Sequence, residues 1–408
     1  MLLTLMKNEF IKIFRRGKTW IVFTLFIALI SLIGFITWKN AEDAKYYSSP
    51  EYQIQMSEEN LSYLEYSLQD AKEANDEEWA RSIEESIKYH KENIENNKDI
   101  LENGIDEDSW IKILDENIIS IKEVISNYEK EGISKKNEDH YEDLKYQLEN
   151  LTYLKENNLK PLEGWEFTSN NFIKNGSMLF GMAILVAGIA VFISDMVSGE
   201  ATPPTLKFLL IQPVSRGKVL FSKYLVALST VLTLIIIPQI VGIGVVNLTS
   251  EINDSNHPIT IGQEYEKVLN IETNEMELKA IPNTSERITM KEFNFKSLAF
   301  QGLFIAATTS VVFMFSTLFK SSMISMATSV ILTVFMTIAG QAINPIKKVA
   351  HILFTTYADS VNILNSNGVF MTNNHNVTIK NGIICLVMTL IISYLISHIN
   401  FTRKDMLI

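Results

Sequence analysis

Two Gly-Lys pairs, Gly17-Lys18 and Gly217-Lys218, are the first candidates for chemistry. A phosphate-cradling loop needs G-x-x-x-x-G-K-[ST], because backbone amides, a lysine and a metal-holding hydroxyl must converge on the phosphates. Neither pair combines the upstream glycine with the following hydroxyl, and Gly217-Lys218 runs straight into Val219. There is no H-E-x-x-H for a zinc protease and no G-x-S-x-G for a hydrolase nucleophile. His90, His140, His257, His351, His375 and His398 are scattered, with no pair at metal-ligand spacing. They read as surface or interfacial side chains. Cys385 has no second cysteine for a disulfide and reads as a small apolar residue. These residues predict a chain that is not an enzyme and holds no cofactor or metal.

The elements around them explain why. The chain has 408 residues, a net charge of −11 and 47% hydrophobic residues. Its mean hydropathy of +0.11 averages two populations, charge-free apolar runs and a highly charged block. A bilayer core takes roughly 20 apolar residues of helix. Six runs qualify: Trp20–Thr37, Ser177–Ser194, Tyr224–Leu248, Leu298–Phe319, Met323–Ile343 and Gly382–Phe401. The first has a basic start like a signal peptide, but it is too long and offers no small-residue cleavage pattern, so it reads as a retained span. No run carries an internal charge, which disfavours a carrier working alone on a proton gradient. Gln239, Gln301, Thr308, Thr309 and Gln341 either line a path or join helices. Gly181, Ala183, Ala187 and Gly188 in the second run, and Gly242 and Gly244 in the third, read as close-packing faces. Pro238 is expected to kink the third.

Lysine and arginine set the orientation. With the N-terminus inside, residues 1–18, 195–223, 320–322 and 402–408 face the cytoplasm. They hold twelve basic residues against Glu9, Asp195, Glu200 and Asp405, giving +8 inside and −19 elsewhere. Six spans return both termini to the cytoplasmic side of a cell membrane.

The expected domain order follows. Residues 1–18 form an amphipathic helix, with Leu2, Leu3, Leu5, Met6, Phe10, Ile13 and Phe14 on one stripe. Lys7, Lys12, Arg15 and Arg16 lie opposite, toward anionic headgroups. The spans occupy 19–38, 172–194, 219–248, 298–319, 323–343 and 382–401. Residues 39–171, with 33 acidic and 15 basic residues, form an extracellular insert. In it Leu61, Leu64, Leu68 and Ala71, then Ile111, Leu114, Ile118, Ile121, Ile125 and Tyr128, then Tyr141, Leu144, Leu148 and Leu151, step by three and four. A narrow apolar seam on charged helices predicts three or four antiparallel, coiled-coil-like helices. Asn103-Gly104, Glu131-Gly132 and Asn158–Pro161 supply the breaks. Residues 249–297 are a smaller outer segment with a β-hairpin drawn from Tyr265, Val268, Ile271, Met276, Leu278 and Ile281. Residues 344–381 lie at the outer surface or re-enter the membrane, and 402–408 form a cytoplasmic tail. The fold class is mainly α: a polytopic membrane protein of six transmembrane helices with a helical extracellular domain.

The most informative stretch is the inner loop, 195–218. Pro204 can start a short helix made apolar by Leu206, Phe208, Leu209, Leu210 and Ile211; Pro213 ends it, and Ser215 can cap the next helix. The result is a short helix parallel to the inner surface. Glu200, Thr205, Leu206, Pro213, Val214, Ser215, Arg216 and Lys223 together resemble the signature of ABC-2-type transporter permeases, with Pro204 where glycine is usual. Asn8 to Trp20 resembles that family's elbow helix, and Phe401 to Asp405 its tail. The resemblance covers the six-span frame and leaves out the 39–171 insert.

The resemblance implies an exporter subunit. It would pair with a second permease copy or a homologous permease, sit among membrane lipids, and bind a cytoplasmic ABC ATPase subunit dimer that holds ATP-Mg. Residues 200–216 would be the coupling helix. Glu200 and Arg216 would make polar contacts to the ATPase, and Leu206, Phe208 and Leu209 would be the apolar anchor, with Thr205, Pro213 and Ser215 completing the site. The cargo remains open among antimicrobial peptides, drugs, lipids and ions. No nucleic-acid partner is expected. The acidic insert supports an alternative, a membrane-anchored receptor for cationic extracellular ligands.

Overall fold

The computed structural model describes residues 2–104, 109–132, 137–180, 184–200, 214–269 and 274–403. It divides into two units, one of residues 1–35 and 167–408 and one of residues 36–166.

In the first unit, α1 (Leu2–Phe14) leads into α2 (Gly17–Tyr47), whose apolar run meets no helix breaker until well past Trp38. Val22, Phe26, Ile30 and Ile33 bury one stripe of α2, while Ile21, Leu25 and Phe35 stay exposed. A helix buried along one stripe and apolar all round suits a lipid surround. The stretch expected as the second span, 172–194, holds α7 (Ser169–Leu179) and α8 (Leu185–Ile193), on either side of residues outside the description, and neither helix alone is long enough to cross a membrane. Then come α9 (Arg216–Thr249), α10 (Met290–Leu318), α11 (Ser322–Ala342) and, near the end, α15 (Ile379–Arg403). Among the described residues five helices are long and apolar enough to cross a membrane: α2, α9, α10, α11 and α15.

The core of this unit is centred on α10. Phe304, Ile305, Thr308, Thr309, Val312 and Phe313 are each 0% exposed, so its polar residues sit inside protein and not against lipid. Gln301 is buried with them, and Gln239 donates to the carbonyl of Ile235 on α9, next to Pro238. The small-residue faces serve close approach. A Cβ on Gly188 would lie 2.8 Å from the Phe26 ring, and one on Gly242 2.6 Å from Phe172. Gly244 faces open space, and Gly181 and Ala183 lie outside the described residues.

Between α9 and α10 the chain forms two antiparallel ribbons. β2 (Tyr265–Leu269) pairs with β3 (Met276–Ala280), the expected hairpin, with Val268 opposite Glu277; Ile271 lies outside the described residues. An outer pair, β1 (Pro258–Ile261) with β4 (Glu286–Thr289), brackets it. Residues 344–381 are not one helix but a succession of short pieces: α12 (Asn344–Lys347), two 3₁₀ turns (Ala350–Ile352 and Phe354–Tyr357), α13 (Ser360–Leu364) and α14 (Asn367–Thr372). Ala350, Tyr357, Val361 and Leu364 are buried in the core.

The second unit holds α3 (Pro50–Glu73), α4 (Glu77–Asn103), α5 (Ser109–Glu131) and α6 (Glu138–Glu156). α3 packs on α4, and α5 on α6. Of the seam expected from the sequence, Ala71 at 0%, Leu114 at 1%, and Ile118, Ile125 and Leu144 below 10% are buried, and the other residues are half-buried. Leu154, Trp110, Leu148 and Leu151 complete the cluster around Leu114. The breaks fall as read, with Gly104, Gly132 and Asn158 all at positive φ. The α3–α4 turn was not anticipated. It uses Asn75 at φ 53 and Asp76 as a cap accepting from the Trp79 amide.

Candidate functional site

The inner loop can be followed from both ends. At its start, α8 gives way to a turn ending in the 3₁₀ segment Ser198–Glu200. Ser316, near the end of α10, accepts from the backbone amides of Val197 (3.0 Å) and Ser198 (3.2 Å). The Ser198 hydroxyl donates to the carbonyl of Ser194 and reaches Ser322, the first residue of α11. Met196 and Val197 are buried. Ser316 thus takes up two amides of the turn, and the Ser198 hydroxyl satisfies one of the carbonyls that the end of α8 leaves open.

This turn delivers Glu200 into a buried ion cluster. Lys223 is fully buried two turns into α9, with its Nζ 2.8 Å from Glu200 Oε1 and 2.9 Å from Glu9 Oε2. Lys12 Nζ closes the square, 2.9 Å from Glu9 Oε1 and 3.2 Å from Glu200 Oε1. Two carboxylates and two ammonium groups balance in charge, with Glu9, Glu200 and Lys223 buried and the Lys12 side chain 41% exposed at the edge. Burial works against a charged Glu9, but Lys223 and Lys12 outweigh it and hold its carboxyl below the usual range. Burial likewise opposes the Lys12 charge, and Glu9 and Glu200 outweigh it, raising its ammonium.

A second cluster lies close along the chain, where Asp195 takes Lys18 at 2.9 Å and Arg16 at 3.6 Å. The joint between α1 and α2 is fixed by Thr19 Oγ1 donating to the Ile13 carbonyl at 2.6 Å and Trp20 Nε1 to that of Phe14 at 3.0 Å. α1 turns Met6, Glu9, Phe10 and Ile13 inward, spaced by three and four, while Leu3 and Phe14 of the expected apolar stripe stay exposed.

Of the residues assigned to coupling, the structure places three. Glu200 is buried, with Oε1 engaged by both lysines. Ser215 is exposed and stands at the N-cap of α9 without a side-chain cap bond; Arg216, half-buried, opens that helix. Thr205, Leu206, Phe208, Leu209 and Pro213, with the short helix expected from Pro204, lie outside the described residues. The inward partners of Glu200 were not singled out from the sequence. Three of the four acids on the segments expected inside, Glu9, Asp195 and Glu200, are each ion-paired to lysine or arginine of those same segments.

The arrangement gathers four segments far apart in sequence: α1, the turn after α8, the start of α9 and the α10–α11 junction. α15 joins them, since a Cβ on Gly217 would meet His398 at 2.8 Å. Such a site ties segments together. It joins a loop to the ends of membrane helices through buried ion pairs, and no group among its described residues is placed to break a bond.

A search among curated proteins finds no match. The family model described as ABC-2 family transporter protein matches residues 3–406, nearly the whole chain. The long apolar helices, the loop they clamp and that match agree: the chain belongs to the ABC-2 transporter family, as a multi-pass transmembrane permease without an ATPase domain.

Proposed function

We propose that this permease is the membrane half of an exporter, coupled through residues 200–216 to a separate ATPase dimer that holds ATP-Mg. Six spans cross the membrane, α7 and α8 making the second. Both termini face the cytoplasm, and the acidic residues 39–171 project outside. A second permease copy, identical or homologous, completes the pathway. The observation that carries this reading is the Glu9–Lys12–Glu200–Lys223 cluster. It ties one end of the loop to α1 and α9, so a push on the loop moves helices as rigid bodies. Glu200, engaged inward, then anchors the loop, while Ser215 and Arg216 with Thr205, Leu206, Phe208, Leu209 and Pro213 meet the ATPase. Copurification of an ATP-hydrolysing subunit from detergent tests the reading. Arg216→Glu should abolish coupled transport while the protein still inserts in the membrane. Cargo pumping by the purified chain alone would overturn it.

A further inference from the structure

A cleft of about 460 Å³ opens between the second half of α11, the end of α7 and residues 355–372. That volume lies in the range of small-molecule sites, about 300–1,000 Å³. Its rim is apolar and exposed: Met178 at 57%, Ile338 at 61% and Met371 at 44%. On the flank of a membrane protein such a rim admits a lipid-soluble molecule from the side.

The lining is different in kind. Asp359 accepts from Ser177 Oγ at 2.6 Å, from the Asn362 amide at 3.1 Å and from Asn362 Nδ2 at 2.7 Å. All three donors are neutral. Among the described residues no lysine, arginine or histidine lines the cleft, and Asp359 has no ion pair. Thr355, only 1% exposed, also lines it, and its hydroxyl has no hydrogen-bond partner among them. A carboxylate held by neutral dipoles in a largely apolar wall lacks a counter-charge, and an orphan buried hydroxyl lacks a mate.

We propose that this cleft binds a lipophilic organic cation, with Asp359 as counter-ion to its ammonium group, Thr355 accepting a second N–H, and the apolar walls taking its body. This rests on the transporter reading by naming a cargo class, but binding needs no ATPase. A failed ATPase copurification and a failed binding test therefore have separate meanings.

The full chain in lipid nanodiscs is titrated with dansylcadaverine, an apolar fluorophore on a primary ammonium, and with the uncharged dansyl pentylamide. Saturable binding that prefers the cation is expected. Asp359→Asn, which keeps a residue able to cap α13, should weaken the cation at least tenfold and shift the neutral probe less than twofold. Thr355→Val should weaken the cation by a smaller factor. Ile338→Trp, at an exposed position on the rim, should weaken both probes. The proposal is overturned if the wild-type chain binds neither probe, if it binds both alike, or if Asp359→Asn leaves the cation unaffected or costs both probes equally.

Discussion

Lys223 shows how much a single side chain carries in this molecule. It is 0% exposed and bonded to two carboxylates from different parts of the chain. Removing one member of a buried ion cluster costs about 3–5 kcal/mol, because the opposing charges stay buried without compensation. Lys223→Met should therefore lower the melting temperature in detergent sharply, and adding Glu200→Gln should restore part of the loss. Titration gives an independent check. The Glu9 carboxyl lies below its ordinary value of 4.5 in the folded protein, so its contribution is full above that value and is lost as the pH falls through the lowered one. The Lys12 ammonium lies above 10.5, so its contribution is full below that value and is lost only at higher pH. Melting temperature should thus be flat across neutral pH and fall in acid, and Glu9→Gln should shrink the acid fall. An unchanged acid limb in that variant would remove Glu9 from the account. From the sequence, Glu9 and Lys12 were legible as neighbours on a helix. Their partners at 200 and 223 were not, because spacing along a chain says nothing of which distant loop folds onto which helix.

Helices were legible where one period governed many residues. The stepping of Ile111, Leu114, Ile118, Ile121, Ile125 and Tyr128 marks the face that α5 turns inward, and Gly104 and Gly132 mark where helices stop, because both adopt positive φ. Leu114→Ala should cost about 2–5 kcal/mol by opening a cavity, seen as faster amide exchange confined to α5 and α6. Exchange spread over the whole chain would contradict the local packing. Residues 344–381 were legible only as something less than a span. Their broken path through short helices and 3₁₀ turns is set by tertiary burial of Tyr357 and Leu364, which no periodicity announces. Glycines mark contact at this scale too. Gly242→Leu would drive a side chain into Phe172 and Ile30, and overpacking of this kind costs about 1–3 kcal/mol; the variant should express with a lowered melting temperature, while Gly244→Leu, facing open space, should not.

For the whole molecule, the charge difference between the short basic segments and the acidic remainder predicts an orientation that labelling can test. With Cys385 replaced by serine, a membrane-impermeant maleimide should label Glu78→Cys in intact cells and Lys7→Cys only after permeabilisation. The reverse pattern would invert the proposed topology. The expectation rests on charge bias in short segments, which is where basic residues decide which way a helix inserts. The identity of the cargo was not legible, since it depends on surfaces assembled from several spans and not on any one stretch of chain.

Glu9 and Lys223 stand 214 residues apart. On the ribosome the first helix emerges long before the lysine that will neutralise its acid, with α2, the whole charged insert, α7 and α8 still to be made. Until then Glu9 has Lys12 beside it, and its second counter-ion comes with the start of α9. The N-terminus, first to be synthesised, thus waits for a counter-ion made 214 residues later.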